Sequence, residues 1–239
     1  MLTLITRLKE TQRLGLCFVL GASVLMTLTL LCFRIAFSGS LTHKYFAWNL
    51  FLACIPLAIS TLLVLFPDRA KSSLVFWPAA TVWLLFFPNA PYIITDLFHF
   101  RPRPGVPYWF DLVLMISAVW NGLMIGLISL ADMQHLVLNR QGRIRSWIFA
   151  GLSVGLCSFG IYLGRFGRWN SWDVLLNPLQ LFGEIAHQIA NPFSHPRTLG
   201  VTLLFAAFLG MSYLLLKIIA HCGKTWWCAT SLRSPSAEP

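Results

Sequence analysis

Residues 14–33 read LGLCFVLGASVLMTLTLLCF, an apolar run of the chain that contains no charged residue. A helix of about 20 such residues is the length that crosses the hydrocarbon core of a bilayer. The run is longer than the apolar core of a typical signal peptide, and no small-x-small cleavage site ends it. We therefore interpret it as a membrane span that stays in the protein and that begins a series.

Five further apolar segments follow the first, which extends over about residues 14–36. They cover approximately residues 46–66, 74–95, 110–133, 146–164 and 199–220. The composition agrees, because only 11% of the 239 residues are charged, against about 25% in a soluble domain. The sequence predicts an all-α, polytopic transmembrane helix bundle of about six spans. These form one membrane domain, residues 14–221, between a basic N-terminus, residues 1–13, and a tail, residues 222–239, that we expect to be disordered.

Lys and Arg residues are divided unequally between the two sides of such a bundle. The side that carries both termini holds eleven of the 18, and the other side holds seven. Because cytoplasmic loops are enriched in Lys and Arg, we expect both termini in the cytoplasm. The positive charge lies in short loops beside the bilayer, which favours anionic lipid headgroups as partners and not nucleic acid.

Residues 88–99 read PNAPYIITDLFH and close the third apolar segment. Each of its prolines removes a backbone donor, so we expect the C-terminal half of this span to be kinked or partly unwound. On a helix, four polar residues of the stretch fall within an arc of about 80°. They are Asn89, Tyr92, Asp96 and His99. Because a polar stripe is costly against lipid, it should face the bundle or a polar cavity.

Three roles are open for this stripe. The first is a hydrogen-bonded network that closes the outer end of the bundle. The second is a catalytic or ligand-binding site, and the third is a metal site at Asp96 and His99. A carboxylate three residues from an imidazole suits either of the last two roles. A metal, however, needs more ligands than the stretch supplies. No serine elbow, phosphate loop or zinc signature is present, and the sequence predicts no cofactor.

Residues 164–173 read GRFGRWNSWD and leave the fifth segment on the same predicted side. Arginine forks suit phosphate or carboxylate groups, so Arg165 and Arg168 are candidate contacts for a lipid headgroup. The alternative is that they pair with Asp96 or Asp173. Because a desolvated carboxylate needs a nearby cation, we predict that the two stretches meet in one outer polar cluster. Its members would be Asn89, Tyr92, Asp96, His99, Arg165, Arg168 and Asp173.

Three further patterns concern the helices themselves. Residues 178–190 separate Leu179, Phe182, Ile185, Ala186 and Ile189 from the polar residues, which predicts an amphipathic helix on the outer membrane surface. Small residues four apart allow close helix packing, and such pairs occur at Gly122/Gly126, Gly151/Gly155 and Gly160/Gly164. Asn49 and Asn121 lie inside spans and should form hydrogen bonds between helices. Arg34 closes the first span, where an arginine can extend to the interface.

Together, the two signature stretches resemble those of a family of bacterial and archaeal multi-pass membrane proteins known only as a domain of unknown function. The patterns are PNAPYxxTDLxH and GRxxRxNSWD, and the resemblance extends over about residues 45–220. It implies the membrane fold and a location in the inner membrane of a bacterial cell, and it implies no activity. The positions that it marks are Asn89, Tyr92, Asp96, His99, Arg165, Arg168, Asn170 and Asp173. Among them Asp96, His99 and Asp173 are the candidates for catalysis, and the other five are the candidates for binding.

Three classes of function are open. The first is a structural or accessory protein with a membrane protein partner. The second is a membrane-embedded enzyme or a lipid-headgroup-binding protein that acts at the outer face. A transporter comes last, because acids in the middle of a span and internal repeats are missing. An open pocket at the outer carboxylates would favour the second class, and a paired, sealed cluster would favour the first.

Overall fold

The computed structural model describes residues 2–11, 13–101, 105–190, 194 and 196–231. Within these ranges the chain forms helices and no strand. The elements are α1 (Leu2–Glu10), α2 (Leu14–Ser38), α3 (Tyr45–Leu65), α4 (Pro67–Lys71), α5 (Ser73–Phe86), α6 (Asn89–Tyr92), a 3₁₀ helix (Ile93–His99), α7 (Tyr108–Gln141), α8 (Arg143–Phe166), α9 (Asp173–Leu176), α10 (Pro178–Ala190) and α11 (Pro196–Ser231).

Six segments of the described chain are long and apolar enough to cross a membrane. They are Leu14–Ser38, Tyr45–Leu65, Ser73–Phe98, Tyr108–Gln141, Arg143–Phe166 and Pro196–Cys222. The predicted all-α bundle of six spans is therefore confirmed, and the chain is an integral, multi-pass membrane protein. One end of the bundle, which we call the terminal end, carries α1, α4 and the last part of α11. The other, which we call the distal end, carries the 3₁₀ helix, α9 and α10.

The third span is broken, as its prolines predict. Helix α5 stops at Phe86, one short turn follows as α6, and the chain then tightens into the 3₁₀ helix. Pro88 and Pro91 have no N–H to donate to the preceding turn, so a regular helix cannot continue through them. The break turns the polar residues of the second half of the span toward the bundle interior.

Glycines on two neighbouring spans receive the broken segment. A Cβ on Gly122 of α7 would lie 2.4 Å from the carbonyl oxygen of Ala90, and one on Gly160 of α8 would lie 2.8 Å from Cγ of Pro88. The packing predicted for Gly122/Gly126 and Gly160/Gly164 is thus confirmed, with the broken third span as the common partner. The prediction is wrong for the Gly151/Gly155 pair within this chain, because a Cβ at either position meets no described atom within 4 Å.

The fourth span is longer than predicted. Helix α7 continues to Gln141 and turns directly into α8 at Gly142, whose φ of 86° suits a glycine. The loop predicted at 134–145 is therefore mostly helix. Arg140 explains the extension, because its guanidinium donates to the carbonyl oxygen of Ala70 and to Ser73 Oγ at 3.0 Å and so anchors α7 to the α4–α5 turn.

The ends of the chain are also more helical than expected. The predicted N-terminal segment contains α1, which Arg7 joins to the second span by donating to the carbonyl oxygen of Leu65 at 2.7 Å. The boundary predicted at residue 222 falls inside α11, which continues to Ser231. The rest of the predicted tail, residues 232–239, lies outside the described residues.

Buried polar contacts join the first and fourth spans. Arg34 is only 2% exposed and forms a two-point ion pair with Asp111, with N–O distances of 2.8 and 3.2 Å. Arg34 is thus held in the interior, and the expectation that it extends to the interface is wrong. Nearer the terminal end of the same interface, Asn121 donates to Thr27 Oγ1 at 2.9 Å, which confirms its predicted hydrogen bond between helices.

Helix α10 has the predicted extent, and its two sides differ in their exposure. Leu179 is 88% exposed and Phe182 is 57% exposed, so this apolar side points away from the bundle, where lipid would lie. The inner side carries Leu181 and Gln188, which are 5% and 6% exposed, with the half-buried Ile185 between them. Leu181 was not among the predicted apolar positions, and the side chain of Ile189 lies outside the described residues.

Candidate functional site at the distal end

A cavity of about 500 Å³ lies at the distal end, between the second, third and fifth spans, with α9 and α10 beside it. Its polar lining comes from both signature stretches and from α3: Asn49, Asn89, Tyr92, Asp96, Arg165, Asn170 and Ser171. Its apolar lining includes Leu52, Leu84, Leu85, Leu163, Val174, Leu181 and Ile185. The cavity therefore has a polar part and an apolar part in one space.

Asp96 is the buried acid of this cavity, with 4% of its surface exposed. The break in the third span places it inside the bundle, where Asn49 of α3 donates to its Oδ2 at 3.0 Å. Arg165, in the last turn of α8, lies 3.6 Å from its Oδ1. The Arg165 guanidinium also lies 5.7 Å from the centre of the Phe98 ring. The cation compensates the buried carboxylate, so this ion pair joins the third and fifth spans across the cavity.

Asn89 and Ser171 form the second link between the signature stretches. The Asn89 amide donates to Ser171 Oγ at 2.9 Å and to the carbonyl oxygen of Phe86 at 3.0 Å. Ser171 in turn donates to the carbonyl oxygen of Leu85 at 2.9 Å. Leu85 lies in the last turn of α5, where carbonyl groups lack partners within the helix, and the serine hydroxyl supplies one donor there. The prediction that the two stretches meet is confirmed by this contact and by the Asp96–Arg165 pair.

The loop after the fifth span is held by its own backbone. Helix α8 ends at Phe166, Arg168 adopts a left-handed φ of 58°, and the N–H of Trp169 returns to the carbonyl oxygen of Leu163 at 3.2 Å. Asp173 Oδ2 then accepts the backbone N–H of Asn170 at 2.7 Å and closes the turn that begins α9. This conformation directs Trp169 and Asn170 to the cavity.

The model of the DUF1361 family, described as a protein of unknown function, matches residues 48–212. The chain belongs to this family. The matched range contains both signature stretches and α10, so the distal cavity is built almost wholly from the family region. Comparison with curated proteins and with solved structures finds no significant match.

In this DUF1361 chain, the cavity brings together five of the eight positions that the sequence marks. They are Asn89, Tyr92, Asp96, Arg165 and Asn170. The predicted cluster is wrong for Arg168, which is exposed and does not line the cavity, because α8 ends before it. It is also wrong for Asp173, whose carboxylate serves the backbone of its own loop. The side chain of His99 lies outside the described residues. Among the described residues, no three His, Cys, Asp or Glu side chains are grouped as metal ligands.

Sequence reasoning missed several residues of the cavity wall. Asn49 was predicted only as a bond between helices, although an amide in an apolar span is the signal that a buried polar partner lies opposite. Ser171 carried no signal besides its place in the second motif. Trp48 lies one residue before Asn49, and its ring is 6.5 Å from that of Trp172, so it connects α3 to the loop after the fifth span.

The terminal end carries a separate buried acid. Asp132 of α7 pairs with Arg13, which precedes the first span, and accepts from Ser60 Oγ at 2.9 Å. Nearby, Tyr213 donates to Gln134 Oε1 at 2.6 Å and joins the sixth span to the fourth. These contacts satisfy the polar groups of this end in the way that a packed bundle requires, and none of these residues lines the distal cavity.

Proposed function

We propose that this membrane protein binds the polar head of an amphipathic lipid in the distal cavity. The observation that carries the proposal is the single cavity with a polar wall and an apolar wall at the end of a membrane bundle. Its volume of about 500 Å³ is within the range of about 300–1,000 Å³ that is usual for small-molecule sites. A lipid has the matching division, because its head is polar and its first chain carbons are apolar.

The charges of the lining indicate the class of headgroup. Asp96 and Arg165 compensate one another, and the other polar groups of the described lining are amides and hydroxyls, from Asn49, Asn89 and Ser171 among others. A ligand with a net charge would meet no uncompensated opposite charge in the described lining. Nothing there would offset the free energy of removing that charge from water. We therefore propose a headgroup without net charge that is rich in hydroxyl or amide groups. Amide side chains both donate and accept hydrogen bonds, as such a head requires.

A structural role for the same residues is the second candidate, and the Asp96–Arg165 pair favours it. A paired cluster at the end of a bundle holds spans together whether or not a ligand enters. Binding is favoured over catalysis, because no nucleophile and base lie within hydrogen-bonding distance of one another in the described lining. The cavity itself separates binding from a purely structural role, since a structural network gains nothing from unfilled space.

We also propose that both termini face the cytoplasm and that the distal cavity opens on the outer side of a bacterial inner membrane. The support is the distribution of Lys and Arg. Arg13, Arg34 and Arg165 are neutralised by buried carboxylates, and setting them aside leaves ten basic residues on the terminal side against five on the distal side. With these three arginines set aside, the excess of basic residues on the terminal side is larger than in the raw count, which supports this orientation.

Two neighbouring residues of α9 provide the test of binding. Val174 lines the cavity, whereas Leu175 is 82% exposed and points away from it. Native mass spectrometry of the protein, released from mild detergent, should show an adduct of lipid mass. Val174→Trp should remove an adduct with an uncharged headgroup by filling the cavity, and the matched variant Leu175→Trp should retain it.

Fragmentation of the adduct identifies its headgroup. An uncharged head with hydroxyl or amide groups supports the proposal. An adduct that survives Val174→Trp unchanged would place the lipid elsewhere, and an anionic head that disappears with this variant would disprove the proposed class. A wild-type protein without any adduct, together with a loss of melting temperature in Asp96→Asn, would favour the structural role.

A further inference from the structure

A second cavity, of about 320 Å³, lies at the terminal end between the second and third spans. Its described lining is apolar except for one arginine: Ile59, Leu62, Leu63, Phe66, Arg69, Val75 and Ala79. It shares no residue with the distal cavity and lies at the opposite end of the bundle. The proposed function of the distal cavity therefore does not account for it.

Two arginines meet at the mouth of this groove. The guanidinium carbon of Arg7 lies 4.8 Å from the centre of the Phe66 ring, and that of Arg69 lies 5.5 Å from it. Helix α1 brings Arg7 to this place, and its bond to the carbonyl oxygen of Leu65 keeps it there. Cation–π contact with one ring holds two positive charges close together, although they repel one another.

Among the described residues, none of the three acids of this end, Glu10, Asp68 and Asp132, forms an ion pair with Arg7 or Arg69. Asp68 is paired with Lys71, at 3.3 Å on the exposed surface of α4, and Asp132 is paired with Arg13. Phe66 and Arg69 belong to the lining of the groove, so the positive pair lies where the apolar space meets the membrane surface. A positive mouth above an apolar groove matches a molecule with an anionic head and a hydrocarbon chain.

We propose that this groove is a binding site for an anionic phospholipid. Arg7 and Arg69 contact its phosphate, since guanidinium groups bind phosphate oxygens through paired N–H donors. One acyl chain lies along Leu62, Leu63 and Val75. A free phosphate would use the arginines and leave the apolar groove empty, so the groove specifies the lipid. The site differs from the distal cavity in its charge, and the two sites should select different lipids.

The test compares two lipids that differ only in the headgroup. Dioleoyl phosphatidylglycerol and dioleoyl phosphatidylcholine are titrated separately into delipidated protein, and the bound fraction is measured by native mass spectrometry. The anionic lipid should bind more tightly. Arg69→Gln and Arg7→Gln should each weaken its binding by roughly fivefold, which is the usual effect of one basic residue at a membrane surface. Both changes should weaken binding of phosphatidylcholine less, because its choline ammonium group compensates the charge of the same phosphate.

Matched controls separate this site from general surface charge. Arg145→Gln removes an exposed arginine of the same end that does not line the groove, and it should leave binding unchanged. Ala79→Phe fills the groove and should weaken binding of the anionic lipid, while inorganic phosphate should not compete. Equal affinity for both lipids, or an equal effect of Arg145→Gln, would overturn the proposal. Unchanged binding to Ala79→Phe, or competition by phosphate, would show that the groove is not used.

Discussion

The close packing of the broken third span against α7 can be tested by adding one methyl group at Gly122. In Gly122→Ala, the added Cβ would lie 2.4 Å from the backbone carbonyl oxygen of Ala90, and 3.0 Å from Cδ1 of Ile93. Real Cβ atoms essentially never lie within 3.0 Å of a non-bonded atom, and ordinary contact begins at 3.4 Å, so α6 or α7 must move by about 1 Å. Because the opposing atom belongs to the backbone, a change of rotamer cannot relieve the contact. Overpacking of this kind costs about 1–3 kcal/mol.

Gly151→Ala is the matched control, because its Cβ would meet no described atom within 4 Å. Both glycines lie inside helices, and the gain in helix propensity of about 1 kcal/mol is common to both variants. The difference between the two variants therefore isolates the steric cost. At about 2–4 °C for each kcal/mol in a chain of this size, the Gly122 variant should melt about 2–12 °C below the Gly151 variant.

Thermal unfolding in detergent, followed by tryptophan fluorescence, measures this difference. The chain contains 10 tryptophans, including Trp83 in the core next to the break. Equal melting temperatures for the two variants would refute the reasoning, because they would show that the third span is not seated against Gly122.

Three further predictions concern the ion pair, the topology and the surface helix. Arg34→Gln should lower the free energy of unfolding by about 3–5 kcal/mol, since it leaves the buried Asp111 without its cation. The double variant Arg34→Met/Asp111→Leu should recover much of the loss in the same melting assay. A single variant as stable as wild type would contradict this. A cysteine at position 101 should react with an impermeant maleimide added to intact spheroplasts and a cysteine at 143 should not, and the reverse pattern would invert the proposed orientation. Leu181→Ala should accelerate hydrogen exchange in α10, because it removes a buried contact that is usually worth about 2–5 kcal/mol. Leu179→Ala, at an exposed position, should not accelerate it. Equal exchange in both variants would disprove that Leu181 lies on the side of α10 that faces the bundle.

The number of spans and the break could be predicted because both depend on local sequence. A run of apolar residues is sufficient to predict a membrane helix, and Pro88 and Pro91 disrupt a helix wherever they occur. The pairing of Asp96 with Arg165 could be predicted from topology, because both lie at the ends of spans on the same side. Local rules and the direction of each span thus account for the core of the candidate site.

The errors come from contacts and backbone angles that sequence spacing does not contain. Arg168 was placed in the cluster as a cation that follows the fifth span, but α8 ends at Phe166 and Arg168 has a φ of 58°. Arg34 was expected at the interface because its partner, Asp111, is 77 residues away in the sequence. Asp173 was assigned to the cluster, although a short loop can use a carboxylate to close its own turn.

The central claim is that the distal cavity holds an uncharged lipid headgroup, and a structure determined in nanodiscs of native membrane lipids tests it most directly. We expect density for a polar head within hydrogen-bonding distance of Asn89, Asp96 or Asn170, continuous with a chain along Leu84 and Leu85. The head should carry hydroxyl or amide groups and no net charge. A cavity that contains only water, or that is closed by the side chains of its own wall, would contradict the claim.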